Sequence, residues 1–241
     1  MIPKRAIFYW EGPEMSWLRR QALETFRLLN PTWAIDVIGG ENVPLQGDSR
    51  LAIVGRSDWG RYKALRSGGG VYFDSDIVFC RPIPEQWLEH QMILPFNAES
   101  TFGHVAILGM EAGNAWAAMM DDACQRIVSS GNPLNYQSLG LPLANRCVHT
   151  IRPYKIQWLE PESFVPVNWG KAELLWQDGV MLSPLSFGIH WYGGDWTSMS
   201  LESSVDEAWM STSKSMIAKA WRKAMKSAGE IVAFQSRQGI A

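Results

Sequence analysis

Apolar positions along the chain fall into short blocks that alternate between sheet-like runs and helical stripes. Ala6 to Trp10 is a continuous apolar, β-prone run that reads as a buried strand, closed by Gly12-Pro13. Ser16 is placed to cap a helix with Leu18, Ala22, Phe26 and Leu29 on one face, and Asn30-Pro31 ends it. Trp33 to Ile38 is a second strand, so the chain opens β-α-β, the unit that builds a parallel sheet. Residues 39–50 read as a polar loop. A helix is predicted from about Ser57 to Ser67, stopped by Gly68-Gly69-Gly70. Val71-Tyr72-Phe73 is a short strand running into Asp74-Ser75-Asp76, and Ile77 to Phe79 continues extended up to Pro82. Met92 to Phe96 and Val105 to Leu108 read as further strands, and Asn114 to Ser129 as a helix. Residues 150–187 are irregular, Gly188 to Tyr192 is a late strand, and Val205 to about Ile231 is helical. The pattern predicts an α/β domain over residues 1–200 with a C-terminal helical extension over 201–241.

Composition narrows the class. With 46% hydrophobic and 19% charged residues, the 241-residue chain can bury a sizeable core. A net charge of −2 supplies no global field for nucleic acid or anionic membrane, so no strong nucleic-acid signal is present. Thirteen Trp residues suit either flat, ring-shaped ligands or a heavy aromatic core. Three widely spaced cysteines form no C-x-x-C, which fits a reducing compartment. The apolar run near the N-terminus is too short for a signal segment, and no run approaches the ~18 apolar residues of a spanning helix. The expectation is a cytoplasmic protein.

Familiar motifs are missing. There is no P-loop, Gly68-Gly69-Gly70 stands after a helix rather than after a strand, and no H-E-x-x-H occurs. What stands out is the segment from Ser57 to Asp76. At helical spacing Asp58, Arg61, Tyr62 and Leu65 share a face, so an acid and an arginine lie on or beside an apolar stripe. As a surface i,i+3 ion pair this would contribute only ~0.2–0.5 kcal/mol. Aimed inward, it would be expensive unless it served a polar ligand. Asp74 and Asp76 end an apolar strand and point to one side in extended chain. Their mutual repulsion is resolved either by a divalent cation or by solvent in a turn.

The run S-D-x-x-R-Y-x-x-L-x-x-x-G-G-x-Y-x-D-x-D closely resembles the DXD-containing sugar transferases of the capsular-polysaccharide type (glycosyltransferase family 32). Large clostridial glucosylating toxins share its core pattern. Here it is Ser57, Asp58, Arg61, Tyr62, Leu65, Gly69, Gly70, Tyr72, Asp74 and Asp76. Ile2-Pro3-Lys4 through Trp10-x-Gly12 is similar to the family's opening segment, with Ile7 where the family has a His. His190-Trp191-Tyr192-Gly193-Gly194-Asp195-Trp196 is similar to its late H-x-x-x-G-S-W, with Asp195 in place of the Ser. Asn97, then Gly103-His104, resembles the stretch after the central strands.

The resemblance implies a GT-A fold, a Rossmann-like sandwich that binds a nucleotide-sugar. It implies a metal-dependent retaining glycosyltransferase that moves a hexose, from a UDP-sugar by preference, to a hydroxyl of a glycan or other acceptor. Asp58 and Arg61 would be catalytic and hold sugar hydroxyls. Trp10, Tyr62, Asp74, Asn97 and Trp196 would complete the nucleotide-sugar site. Asp76, with Asp74, His190 and Asp195, would hold Mn²⁺ or Mg²⁺. A sugar-nucleotide binding protein without turnover is the alternative, as is a transferase acting on protein or modified nucleic acid. The tail has no counterpart in the family. Trp209 and Trp221 lie on its apolar side, while Lys214, Lys219, Arg222, Lys223 and Lys226 form a basic stretch. It is expected to pack on the domain or pair with a second copy. Its lysines would be solvated or face an anionic partner or membrane surface.

Overall fold

The computed structural model describes residues 1–12, 14–47, 49–95, 103–151 and 154–238. In chain order the elements are β1 (Arg5–Tyr9), α1 (Trp17–Leu29), β2 (Ala34–Ile38), α2 (Arg50–Gly68) and β3 (Gly70–Phe73). They continue with β4 (Ile77–Phe79), β5 (Met92–Pro95), β6 (Ile107–Met110), α3 (Ala115–Ser129), α4 (Leu141–Arg146) and β7 (Ile156–Leu159). The chain closes with β8 (Gly188–His190), α5 (Trp196–Glu202), α6 (Glu207–Thr212) and α7 (Met216–Gln238). The expected α/β architecture is present. The residues form two compact units interleaved along the chain, where the pattern had suggested a single break near residue 200.

The first unit takes residues 1–13, 33–74 and 84–161. Its six-stranded sheet has the order β2-β1-β3-β6-β5-β7. β1 runs parallel to both β2 and β3, and β5 runs parallel to β7, while β6 is antiparallel to β3 and β5. β1 and β3 read as unbroken apolar runs because nearly every residue in them is buried. Helices α2 and α3 pack together. Tyr62 meets Trp116 edge-on at 6.0 Å, and the Trp59 indole donates to Asp121 Oδ1 at 2.6 Å.

Helix α2 begins earlier than the sequence suggests. Ser49 caps it, accepting from the Ala52 N–H at 3.2 Å, so residue 50 and those just before Ser57 are helical rather than loop. The earlier start has a chemical consequence. Asp58 lies two turns inside the helix, so its carboxylate is not spent on a cap. Burial also wraps further round this helix than one stripe, for Asp58, Trp59, Gly60, Arg61 and Tyr62 are all buried. The helix ends where Gly69 adopts φ +66°. A Cβ there would also meet the Ala112 nitrogen at 2.6 Å, so the triple glycine serves a tight helix-to-strand turn.

The second unit takes residues 14–32, 75–83 and 162–241. Its two strands, β4 and β8, pair antiparallel with Ile77 opposite His190. Leu18, Val78, Ile189, Trp191, Met210, Ile217 and Trp221 form its core. The late strand stops at His190, and Tyr192 turns to φ +55°. The predicted single helix after Val205 is two helices. Ser213 ends α6, and the Ser215 hydroxyl accepts from Ala218 N–H at 3.3 Å at the start of α7. Trp221 is buried as expected, its indole donating to Gln21 Oε1 at 3.0 Å and its ring 6.2 Å from Trp17.

Candidate functional site

In the first unit, α2 carries two opposite charges into the interior. Asp58 and Arg61 are 6% and 4% exposed, which excludes a surface ion pair. Arg61 Nη2 lies 2.7 Å from Asp58 Oδ1 and 3.6 Å from Asp74 Oδ1, and Nη1 donates to the Val105 carbonyl at 2.5 Å. The guanidinium stands 4.7 Å over the Tyr72 ring. Tyr72 donates its hydroxyl to Asp74 Oδ1 at 2.8 Å and lies 3.2 Å from Ser57 Oγ. Five of the motif's residues thus form one network, with two carboxylates sharing one guanidinium. Tyr62, beside them in sequence, is fully buried against Trp116 and contributes packing.

Burial pushes the Asp58 carboxyl up to about 6, with the Asp74 charge adding to it and the Arg61 cation opposing. The Tyr72 hydroxyl is raised well above its usual range, chiefly by burial. Space for the Asp58 carboxylate depends on Gly140, immediately before α4, where a Cβ would come 2.6 Å from Oδ2. No sequence spacing points to Gly140, because it stands far along the chain from its neighbour.

In the second unit, Asp76 is buried beside β8. Its Oδ1 is 3.1 Å from His190 Nε2, its Oδ2 accepts from the Gly193 N–H at 2.6 Å, and its carbonyl accepts from Trp191 N–H at 3.1 Å. Burial works against the Asp76 charge. The His190 ring, the Arg19 cation and the Gly193 N–H outweigh it and hold the carboxyl well below the usual range. A side chain at Gly193 would collide with the Arg19 guanidinium and crowd Asp76.

Arg19 itself is fixed from two directions. Nε and Nη2 donate to the two oxygens of Glu202 at 2.8 and 3.2 Å, and Nη1 donates to Ser75 Oγ at 2.8 Å. Ser16 Oγ and the Trp191 indole also donate to Glu202, at 2.5 and 3.3 Å. Sequence reasoning missed Arg19 and Glu202 altogether, and it placed Gly193 in a motif without a role. Arg19 and Glu202 are 183 residues apart, and neither belongs to a spaced motif.

The remaining expected residues fall as follows. Trp10 follows β1, half-buried, with its N–H on the Ile38 carbonyl at 3.0 Å. Next to it Glu11 pairs with Arg56 through two bonds of 2.5 and 2.8 Å, a buried charge pair the pattern did not show. Asp195 is the N-cap of α5, its Oδ1 accepting from Thr197 N–H at 2.9 Å and Ser198 N–H at 3.4 Å. The carboxylate expected to bind metal is therefore occupied at a helix end. Trp196, expected against the nucleotide, is the first residue of that helix and is 79% exposed. Asn97 lies outside the described residues.

Comparison with known proteins agrees with the acidic motif. Residues 32–94 match the family described as glycosyltransferase sugar-binding region containing DXD motif. No curated protein sequence matches the chain significantly. Among solved structures, the chain is similar to the glycosyltransferase GlyE of Streptococcus pneumoniae TIGR4, at 13% identity and TM-score 0.48, over 100% of this chain and 64% of that one. It is similar to a glycosyltransferase involved in glycosylation of the major capsid of PBCV-1, at 12% identity and TM-score 0.49, over 84% of this chain and 100% of the other. It is also similar to the PaToxG glycosyltransferase, at 14% identity and TM-score 0.48, over 63% of this chain and 70% of that one. The chain therefore spans a little under two thirds of GlyE.

Proposed function

We propose that this chain, whose residues 32–94 match the DXD-motif glycosyltransferase sugar-binding region, transfers a hexose from a nucleotide-sugar to an acceptor hydroxyl. A UDP-sugar is the preferred donor, a glycan the preferred acceptor, and the anomeric configuration is retained. The observation that carries this reading is the network of buried Asp58 and Arg61 with half-buried Asp74. A chain does not keep a carboxylate and a guanidinium in its interior cheaply, and sugar hydroxyls are ligands that use both charge types.

The residues divide the work. Arg61 is held rigidly by the Val105 carbonyl and Asp58, so its guanidinium is presented in one orientation to the donor sugar. Asp58, ionised above about pH 6, accepts from sugar hydroxyls. Asp74, oriented by the Tyr72 hydroxyl, accepts from the ribose or donor sugar. In this reading the acceptor attacks from the side of the leaving group, through an oxocarbenium-like state.

A divalent cation fits the donor set. Asp76 is kept ionised and His190 sits against it, with Asp74 supplied by the chain two residues earlier. Hard oxygens with one imidazole suit Mn²⁺, or Mg²⁺ with more water. When bound, such an ion supplies neutralising charge to the leaving diphosphate.

The test is release of UDP from a panel of UDP-hexoses in 1 mM-scale Mn²⁺, with EDTA and Asp76→Ala as controls. Release that EDTA and Asp76→Ala both abolish, in a variant that stays folded, is the expected result. Full release in EDTA overturns the metal, and no release from any donor overturns the transferase reading.

A further inference from the structure

The second unit contains a cavity of about 300 Å³ that the donor chemistry does not use. Two short segments line it: Glu173, Trp176 and Gln177 on one side, and Leu201, Ser204, Val205 and Trp209 on the other. Its volume stands at the lower end of the ~300–1,000 Å³ typical of small-molecule sites, which suits a single ring rather than a nucleotide-sugar.

The lining has two kinds of surface. Trp176 and Trp209 stand 6.1 Å apart at 53°, and Leu201 and Val205 add aliphatic surface. One indole is held directly, and the other residue is anchored through its backbone. The Trp176 N–H is tied to Ser198 Oγ at 3.2 Å, and Asp206 Oδ1 accepts from the Trp209 N–H of the backbone at 2.8 Å, which anchors the first turn of α6. The polar groups are the Glu173 carboxylate and the Gln177 amide, four residues apart and both exposed. The Ser204 hydroxyl donates to the Leu201 carbonyl at 2.8 Å and so faces the cavity as an acceptor.

We propose that this cavity is a second sugar site, binding one neutral pyranose ring of a glycan. A pyranose presents an apolar C–H face and a rim of hydroxyls. Rigid indoles serve the first at little entropic cost. A carboxylate and an amide serve the second, the carboxylate accepting and the amide both donating and accepting. Glu173 makes the site unfavourable to sugar acids and phosphosugars. The site is independent of the donor residues, and its occupancy would retain a glycan on the enzyme between transfers.

Saturation-transfer NMR on the full chain, without nucleotide or metal, tests this. The probes are the methyl α-pyranosides of glucose, galactose and mannose, with methyl glucuronide and uridine as counter-probes. Transfer to the ring C–H protons of at least one neutral pyranoside is expected, and none to the glucuronide. Glu173→Ala and Gln177→Ala replace exposed side chains, so the fold is kept, and each should weaken binding by about tenfold, the loss of one good hydrogen bond. Trp209→Phe should weaken it further. The proposal is overturned if no neutral pyranoside receives saturation. It is equally overturned if binding survives both polar variants, if uridine binds better than the pyranosides, or if UDP with Mn²⁺ displaces the sugar. Since no donor is present, failure here leaves the transferase reading untouched.

Discussion

Asp58 shows how much one position can depend on its surroundings. Its carboxyl is raised to about 6 while Arg61 lies within 2.7 Å, which means burial outweighs the ion pair. A ¹³C NMR titration of Asp58 should give a midpoint near 6. In Arg61→Gln the midpoint should rise further, because the opposing cation is gone. The folded chain holds this proton more tightly than the unfolded one. Asp58 therefore supports folding fully below its unfolded value near 3.8, and that support is lost as pH rises through about 6. Urea unfolding of Asp58→Asn between pH 4 and 7 should show a smaller loss of stability over that window than the parent. Gly140→Ala tests the same carboxylate from outside. The new methyl must displace the Asp58 carboxylate, which a Cβ at position 140 would approach to 2.6 Å. The donor KM should rise or kcat fall with little change in Tm, and an unchanged rate would show that the carboxylate position does not matter.

At the scale of elements, the helices after residue 195 belong to the second unit's core rather than to a separate appendage. α7 packs on α1, and Glu202 at the end of α5 reaches Arg19 of α1. The Arg19 and Glu202 side chains are 14% and 9% exposed, so removing one leaves a largely buried charge. Glu202→Ala should cost about 3–5 kcal/mol in urea unfolding. Glu202→Gln, which keeps acceptors for Ser16 and Trp191, should cost less. Much of the tail's basic stretch is also committed inward. Lys219 donates to the Val180 carbonyl at 2.9 Å and Arg222 to that of Met210. Lys226, by contrast, is 81% exposed and only 4.0 Å from Glu230. Truncation after Met199 would uncover Leu18, Val78, Ile189 and Trp191. The shortened chain should be insoluble or lose its cooperative transition, and a soluble chain with parental Tm would refute the packing role.

At the scale of the whole molecule, a ligand that binds only the folded chain stabilises it by mass action. UDP with Mn²⁺ near 100 times its dissociation constant should add ~2.7 kcal/mol. Asp76→Asn should remove most of that gain, and addition of EDTA should remove the same portion in the parent. A calorimetric scan reads both. Among the described residues no helix is long and apolar enough to cross a membrane.

The division between what the chain states and what its folding decides follows from range. Apart from β7, which lies in the stretch read as irregular, the strands, α1, α3 and the glycine-bound end of α2 were readable because their causes are local: apolar runs, a Ser or Asn cap, a residue forced to positive φ. The core of the site was readable for the same reason. Asp58, Arg61, Tyr72, Asp74 and Asp76 lie within twenty residues, and helical spacing puts Asp58 and Arg61 on one face, although Ser75 and Asp76 form a turn rather than the extended chain expected. The true start of α2 was hidden because Gly55 and Arg56 break its apolar periodicity. Arg56 proved to be buried against Glu11, a pairing no local pattern encodes. Asp195 matched a motif in position, and its N-cap role came into view only with the helix that follows it, since a carboxylate just before a helix satisfies the nearest backbone N–H groups. Arg19, Gly140, Gly193 and Glu202 acquire meaning only through neighbours far along the chain. Distance in sequence costs them their legibility, because only tertiary packing brings their charges and close approaches into being.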